Sequence, residues 1–208
     1  MPRSSRRKLL KISNVSVPNE ILWAIIGLLL TIGGNFLEAY IINFPWSWSQ
    51  QGVNTHSVGV TYQIGAVLLV ACLGGKNAGA LSQIAYLVIG LMGFQVFDRG
   101  GGLEYFKQPT FGYLLGFIPG AWVCGYLAFR RQPKLEFLAL SCFFGLLSIH
   151  LAGLSYLIVS QLFNWKVNYD LSLFQGIVNY SFYPLPGQFV VVCAVTVIAF
   201  TLRKLMFY

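Results

Sequence analysis

The chain has 208 residues, of which 56% are hydrophobic and only 10% charged. Soluble domains carry about 25% charged residues, so this composition excludes an ordinary water-solvated domain and fits a chain whose solvent is mostly lipid. The net charge of +8 does not mark a nucleic-acid binder: five of the fourteen bases (Arg3, Arg6, Arg7, Lys8, Lys11) sit in a polar N-terminal tail, and the rest lie in or beside short connections.

In chain order, residues 1–19 read as a basic cytoplasmic tail and 20–208 as a single six-helix transmembrane domain. The tail suits an anionic lipid surface or serves only as a topology signal. No small-x-small cleavage site follows it, and the next apolar run is too long for a signal peptide, so that run is read as a retained span. This first span is expected from about Glu20 to Asn43, long enough to cross a hydrocarbon core. Trp23 and Tyr40 fall near its ends, where interfacial aromatics belong. Gly27 and Thr31 share a face on which another helix packs closely, and Glu38 is placed at the interface. Residues 44–58, with Trp46 and Trp48, read as an interfacial loop. His56 in that loop has no neighbouring ligand residue and is not a metal site.

The second span is expected from about Gly59 to Gly74, with Thr61, Tyr62 and Gln63 in its first turn. A tight turn at Gly74-Gly75-Lys76-Asn77 leads into the third, about Ala78 to Val96, in which Gln83 and Tyr86 share a helical face. A glycine-rich, aromatic loop follows. The fourth span begins after Pro109 and runs to about Phe129, with a kink expected at Pro119. A basic turn (Arg130, Arg131, Lys134) precedes the fifth, Leu135 to Phe163, in which His150 is read as a hydrogen-bonded packing residue. Residues 164–186 read as a polar-aromatic connection with a short interfacial helix. The sixth span, about Gly187 to Leu202, is closed by Arg203 and Lys204. Cys72, Cys124, Cys142 and Cys193 all lie inside apolar runs with no Cys-x-x-Cys pair, and read as small buried hydrophobes.

Six spans put both termini on one side, and that side then holds eleven of the fourteen bases. The positive-inside rule places it in the cytoplasm of a cell (plasma) membrane protein. The glycine loop, the tryptophan loop and residues 164–186 then face outward.

No phosphate-binding Gly-x-x-x-x-Gly-Lys-Ser/Thr, no His-Glu-x-x-His and no Gly-x-Ser-x-Gly occurs. The chain is therefore not expected to hydrolyse ATP, to be an enzyme or to need a cofactor. What remains is a set of polar and aromatic groups at outward span ends: Thr61, Tyr62, Gln63, Phe97, Gly100, Gly101, Gly102, Thr110, Tyr113, Tyr180, Tyr183 and Gln188. Glycines admit a ligand close to backbone N–H groups, and aromatics give apolar walls with polar tips. Such a site suits a small, partly apolar solute with an amide-like or carboxylate end.

The same residues carry a family resemblance. Thr61-x-Gln63 enters the second span, Gly79-Ala80-Leu81 and Tyr86-Leu-x-x-Gly-x-x-Gly93 occupy the third, and Pro109-Thr-x-Gly-Tyr-Leu-x-Gly-Phe117 opens the fourth. In this order they resemble the BioY family, the biotin-binding S components of energy-coupling-factor (ECF) transporters, over about Gly59 to Phe129. The resemblance implies an ECF S-component-like six-helix fold binding biotin, or a similar small solute, near the outer face. It also implies a transmembrane coupling protein and a pair of ATPases as partners. The site residues it and the span ends point to are Gln63, Tyr86, Phe97, Gly101, Gly102, Thr110, Tyr113, Tyr183 and Gln188. Gln95 departs from the family pattern, as do Gln188 and Val191, which stand where the family carries Asp and Lys. A pocket for another vitamin-like solute on the same scaffold is the alternative, and a membrane enzyme or structural protein a more distant one.

Overall fold

The computed structural model describes residues 17–43, 45, 52–98, 100–163 and 172–207. The basic tail through residue 16, Trp46, Trp48, Arg99, Lys166 and Asp170 lie outside these residues. The chain runs α1 (Val17–Phe36), β1 (Glu38–Ile42), β2 (Thr55–Thr61), α2 (Gln63–Leu91), a 3-10 turn (Leu103–Lys107), α3 (Phe111–Arg130), α4 (Leu135–Leu162), α5 (Leu173–Ile177), a π-helical turn (Val178–Phe182) and α6 (Leu185–Phe207). Among the described residues, five helical segments are by length and composition long and apolar enough to cross a membrane: α1, α2 taken as one run, α3, α4 and the run Leu173–Met206.

The first apolar run is not one helix to Asn43. Its helix stops at Phe36, and β1 pairs antiparallel with β2, Glu38 opposite Thr61 and Tyr40 opposite Ser57. The second span accordingly starts at Gln63 rather than Gly59, and the fold is helical with one added hairpin. The reason is local. Gly33, Gly34 and Asn35 are poor helix formers, whereas Tyr40, Ile41 and Ile42 on one side and Val58, Val60 and Thr61 on the other suit a strand pair. An apolar run without a clear period does not separate these two states. At the far end α6 begins at Leu185 and reaches Phe207, longer at both ends than Gly187–Leu202.

Helix α2 reverses within itself. Gly75 has φ 84° and ψ −178°, outside helical values. A Cβ built on Gly79 would lie 3.2 Å from Ala71 Cα, whereas eight residues along a straight helix span about 12 Å. Gln63 Nε2 likewise reaches Tyr86 Oη at 2.8 Å. Residues 63–74 and 76–91 are therefore antiparallel arms joined at Gly75. Only glycine takes this backbone without strain, so Gly75→Ala is expected to cost about 1–3 kcal/mol. Thermal unfolding of the purified protein checks this; an unchanged Tm would contradict a strained turn.

Helix α1 lies across both arms. A Cβ on Gly27 would stand 2.8 Å from Val70 on the first arm and 2.8 Å from Ser82 on the second. Thr31 Oγ1 donates to Gly27 O (2.7 Å) and accepts from Gln83 Nε2 (3.0 Å). The Gly27/Thr31 face thus packs inside the molecule. Helices α3 and α4 meet through small residues as well: a Cβ on Gly116 would lie 2.8 Å from Ile149 O, and one on Gly120 3.0 Å from Gly145 O. Pro119 is exposed on the other face of α3, and the helix continues through it. Val191 on α6 is 3% exposed and packs on Gly65, so its side chain fills the apolar interface between α6 and the first arm.

Candidate binding site

A cavity of about 390 Å³ opens where α1 ends and the hairpin, the first arm of α2, α3 and the start of α6 converge. Its polar lining includes Asn35, Thr61, Gln63, Thr110, Tyr113 and Gln188; its apolar walls include Val60, Ile64, Leu114 and Phe117; Glu38 and Asp98 are exposed acids on its rim.

The polar groups are held in fixed hydrogen-bonding roles. Gln63 Nε2 donates to Tyr86 Oη (2.8 Å), and Tyr86 Oη donates to Val96 O (2.9 Å). Gln63 is 8% exposed and lines the cavity, and its Oε1 has no partner among the described residues. This side chain therefore offers an acceptor. On the opposite side, His150 Nε2 stands 2.6 Å from Gln188 Oε1. An amide oxygen only accepts, so Nε2 carries the proton and Nδ1 accepts from Ser181 Oγ at 3.2 Å. Ser181 Oγ in turn accepts from Tyr113 Oη at 2.6 Å. With Oε1 committed to His150, the amide N–H₂ of Gln188 is the group left for the cavity. The site thus presents an acceptor at Gln63 and a donor at Gln188.

Of the nine sequence-predicted site residues, Gln63, Thr110, Tyr113 and Gln188 line this cavity, and Tyr86 stands directly behind Gln63. Phe97 does not face it. Its ring is 2% exposed, seats against Gly90, and packs between Tyr86 (5.3 Å between centroids) and Tyr105 (4.6 Å). Gly101 abuts the carbonyls of Phe94 and Gly90, and Gly102 N–H is spent on Gly90 O at 2.8 Å. These glycines close the loop over Phe97, and the Gly102 donor is not free for a ligand carboxylate. Tyr183 is 73% exposed and absent from the lining, where Tyr180 stands instead. The π-helical turn at 178–182 sets which tyrosine turns inward, and no regular period in the sequence reveals it.

Sequence reading missed Asn35, Glu38, Tyr105 and Asp98 as lining groups and His150 as the partner of Gln188. Asn35 Nδ2 donates to Val96 O at 3.2 Å, bracing the loop that also receives Tyr86. A polar residue directly after two glycines inside the first apolar run was the available signal. Glu38 accepts from Ser57 Oγ (2.5 Å) and Tyr40 Oη (2.9 Å). The Ser57 and then the Tyr40 hydrogen bond hold its carboxyl below the ordinary value, so the rim charge persists at neutral pH.

Residues 15–207 match the BioY family. A probable biotin transporter BioY of Lysinibacillus sphaericus is 39% identical over 122 residues, 57% of this chain and 62% of that protein. A biotin transporter BioY of Thermotoga maritima is 41% identical over 80 residues, 38% of this chain and 47% of that protein. The chain thus aligns with less than two thirds of the length of these two transporters. An uncharacterized 21.2 kDa protein of Cyanophora paradoxa is 27% identical over 188 residues, 89% of this chain and 95% of its own length. The crystal structure of an S-component for biotin from an ECF-type ABC transporter shares the fold, with a TM-score of 0.66 at 18% identity, over 92% of this chain and 95% of that one.

Proposed function

The chain belongs to the BioY family, and on that premise we propose that it is the biotin-binding membrane subunit of an ECF-type uptake system. It is a multi-pass membrane transport component and not an enzyme. The observation that carries the substrate reading is the acceptor–donor pair across the cavity. The ureido ring of biotin has N–H donors and one carbonyl acceptor; Gln63 Oε1 matches the former and Gln188 Nε2 the latter. Val60, Ile64, Leu114 and Phe117 supply walls for the apolar bicycle and chain.

Energy comes from elsewhere, because the sequence has no phosphate-binding loop; a transmembrane coupling protein and an ATPase pair are the partners this reading requires. The two arms of α2 make six passes out of five helical segments. With both termini cytoplasmic, eleven of fourteen bases lie inside and the cavity opens outward from the plasma membrane.

A mixture of B vitamins at equal concentration, incubated with the purified chain and passed through a sizing column, tests the substrate reading. Biotin is expected to co-elute. Gln188 in place of the family's Asp favours one second reading, another cyclic amide-like solute; retention of such a compound instead of biotin would overturn the first.

The rim acids give a separate prediction. Biotin is an anion, so the exposed Asp98 opposes it by roughly the strength of a surface charge pair, about 0.2–1 kcal/mol. Asp98→Asn is expected to tighten biotin about 1.5- to 5-fold and leave neutral biotin amide unchanged. Weaker binding of both compounds would show that Asp98 accepts a ligand N–H.

A further inference from the structure

Three of the four cysteines meet at one point. Cys72 on the first arm of α2, Cys124 on α3 and Cys142 on α4 are each fully buried. Cys72 Sγ lies 3.6 Å from Cys124 Sγ and 3.5 Å from Cys142 Sγ, and the three sulfurs all fall within 4.8 Å of one another. Taken singly along the sequence, each is a small buried hydrophobe; the fold makes them a trio contributed by three helices. Glycine contacts bring these helices together. A Cβ on Gly145 would stand 2.8 Å from Cys124 Cβ and 3.0 Å from Gly120 O.

The trio is remote from the binding cavity. Cys72 precedes the Gly75 reversal, and Gly125, next to Cys124, abuts the backbone of Lys76. Along the first arm, Cys72 lies roughly 13 Å of helical rise from Gln63. None of the three lines the cavity.

We propose that Cys72, Cys124 and Cys142 form a binding site for one soft monovalent metal cation of the Cu(I)/Ag(I) class. Sulfur ligands select soft ions, and trigonal sulfur coordination satisfies Cu(I). Zn(II) is disfavoured because the cluster supplies three ligands, with no fourth among the described His, Cys, Asp and Glu side chains. Three sulfurs in a plane at roughly 2.3 Å from one ion stand about 4.0 Å apart. Binding therefore asks the pairs now at 3.5–3.6 Å to open by a fraction of an ångström. The thiolate is the ligating form, so three thiol protons leave to water as the cation enters. Three thiolates around one singly charged ion carry a net charge of about −2, a burial cost that the three metal–sulfur bonds offset.

The full chain in lipid nanodiscs, titrated anaerobically with Cu(I) held as its bicinchoninate complex, tests this. One Cu(I) per chain should leave the chelator, with release of three protons, and X-ray absorption at the copper edge should show three sulfur donors. Cys72→Ala, Cys124→Ala and Cys142→Ala are each expected to weaken binding at least about 10-fold. Cys193→Ala, at the exposed cysteine outside the trio, should leave it unchanged. No Cu(I) withdrawn by the wild-type chain, or Cu(I) lost with Cys193→Ala, overturns the proposal. Where a substituted chain does not fold, the wild-type absorption spectrum decides: three sulfurs support the site, and two sulfurs or any oxygen or nitrogen donor overturn it.

Discussion

Gln188→Leu is expected to weaken biotin binding by about 10- to 100-fold, the loss of a buried hydrogen bond together with an orphaned donor. Both losses arise at one side chain. The amide N–H₂ facing the cavity disappears, and His150 Nε2–H, now 2.6 Å from Gln188 Oε1, is left without its acceptor. His150→Leu acts through the same amide. With Oε1 released, Gln188 is no longer held with its donor toward the ligand. The two residues form one unit, so the double variant should lose little more than the Gln188→Leu variant alone. A double-mutant cycle on the biotin dissociation constant reads this coupling, about 0.5–3 kcal/mol for groups sharing a network. Additive losses would separate His150 from the site, and unchanged affinity in Gln188→Leu would remove Gln188 from it.

Gly101→Val is expected to damage stability and binding together. A Cβ at this position would collide with the Phe94 carbonyl and stand 2.8 Å from Gly90 O. Both atoms are backbone, so no flexible side chain can move aside. The Gly90–Gly102 hydrogen bond and the seat of Phe97 on Gly90 lie in the same closure, and Phe97 backs Tyr86, which orients Gln63. Overpacking of this kind costs about 1–3 kcal/mol. The expected result is a lower Tm and faster biotin release. Leu103→Ala, at a side chain 70% exposed in the same loop, should change neither. A valine at 101 with wild-type Tm and release rate would show that the loop yields there at no cost.

The fold was legible where the chain's solvent decides it. Low charge, long apolar runs and the basic turn before Leu135 pointed to membrane helices, and the Gly74-Gly75 turn to a reversal, because lipid permits few alternatives. The hairpin was not legible. Tyr40, Ile41 and Ile42 are as apolar as a helix end, and their strand partners stand on the far side of residues 43–54. At the site, Gln63, Thr110, Tyr113 and Gln188 could be picked out because they stand at span ends. What could not be read was which atom of each amide faces inward. That depends on Tyr86 and His150, which are 23 and 38 residues away and meet their partners only across the bundle. The same holds for the three thiols, whose proximity is a property of glycine-mediated helix approach rather than of spacing.

In the proposed function this cavity holds biotin through an acceptor at Gln63 and a donor at Gln188. Isothermal titration of the purified full chain in nanodiscs with biotin tests it most directly, beside a Gln63→Leu, Gln188→Leu double variant shown to be folded by its Tm. Saturable one-site binding by the wild-type chain, lost in the double variant, is the predicted result. No heat of binding up to high micromolar biotin in the folded wild-type chain, or equal binding by the double variant, would contradict it.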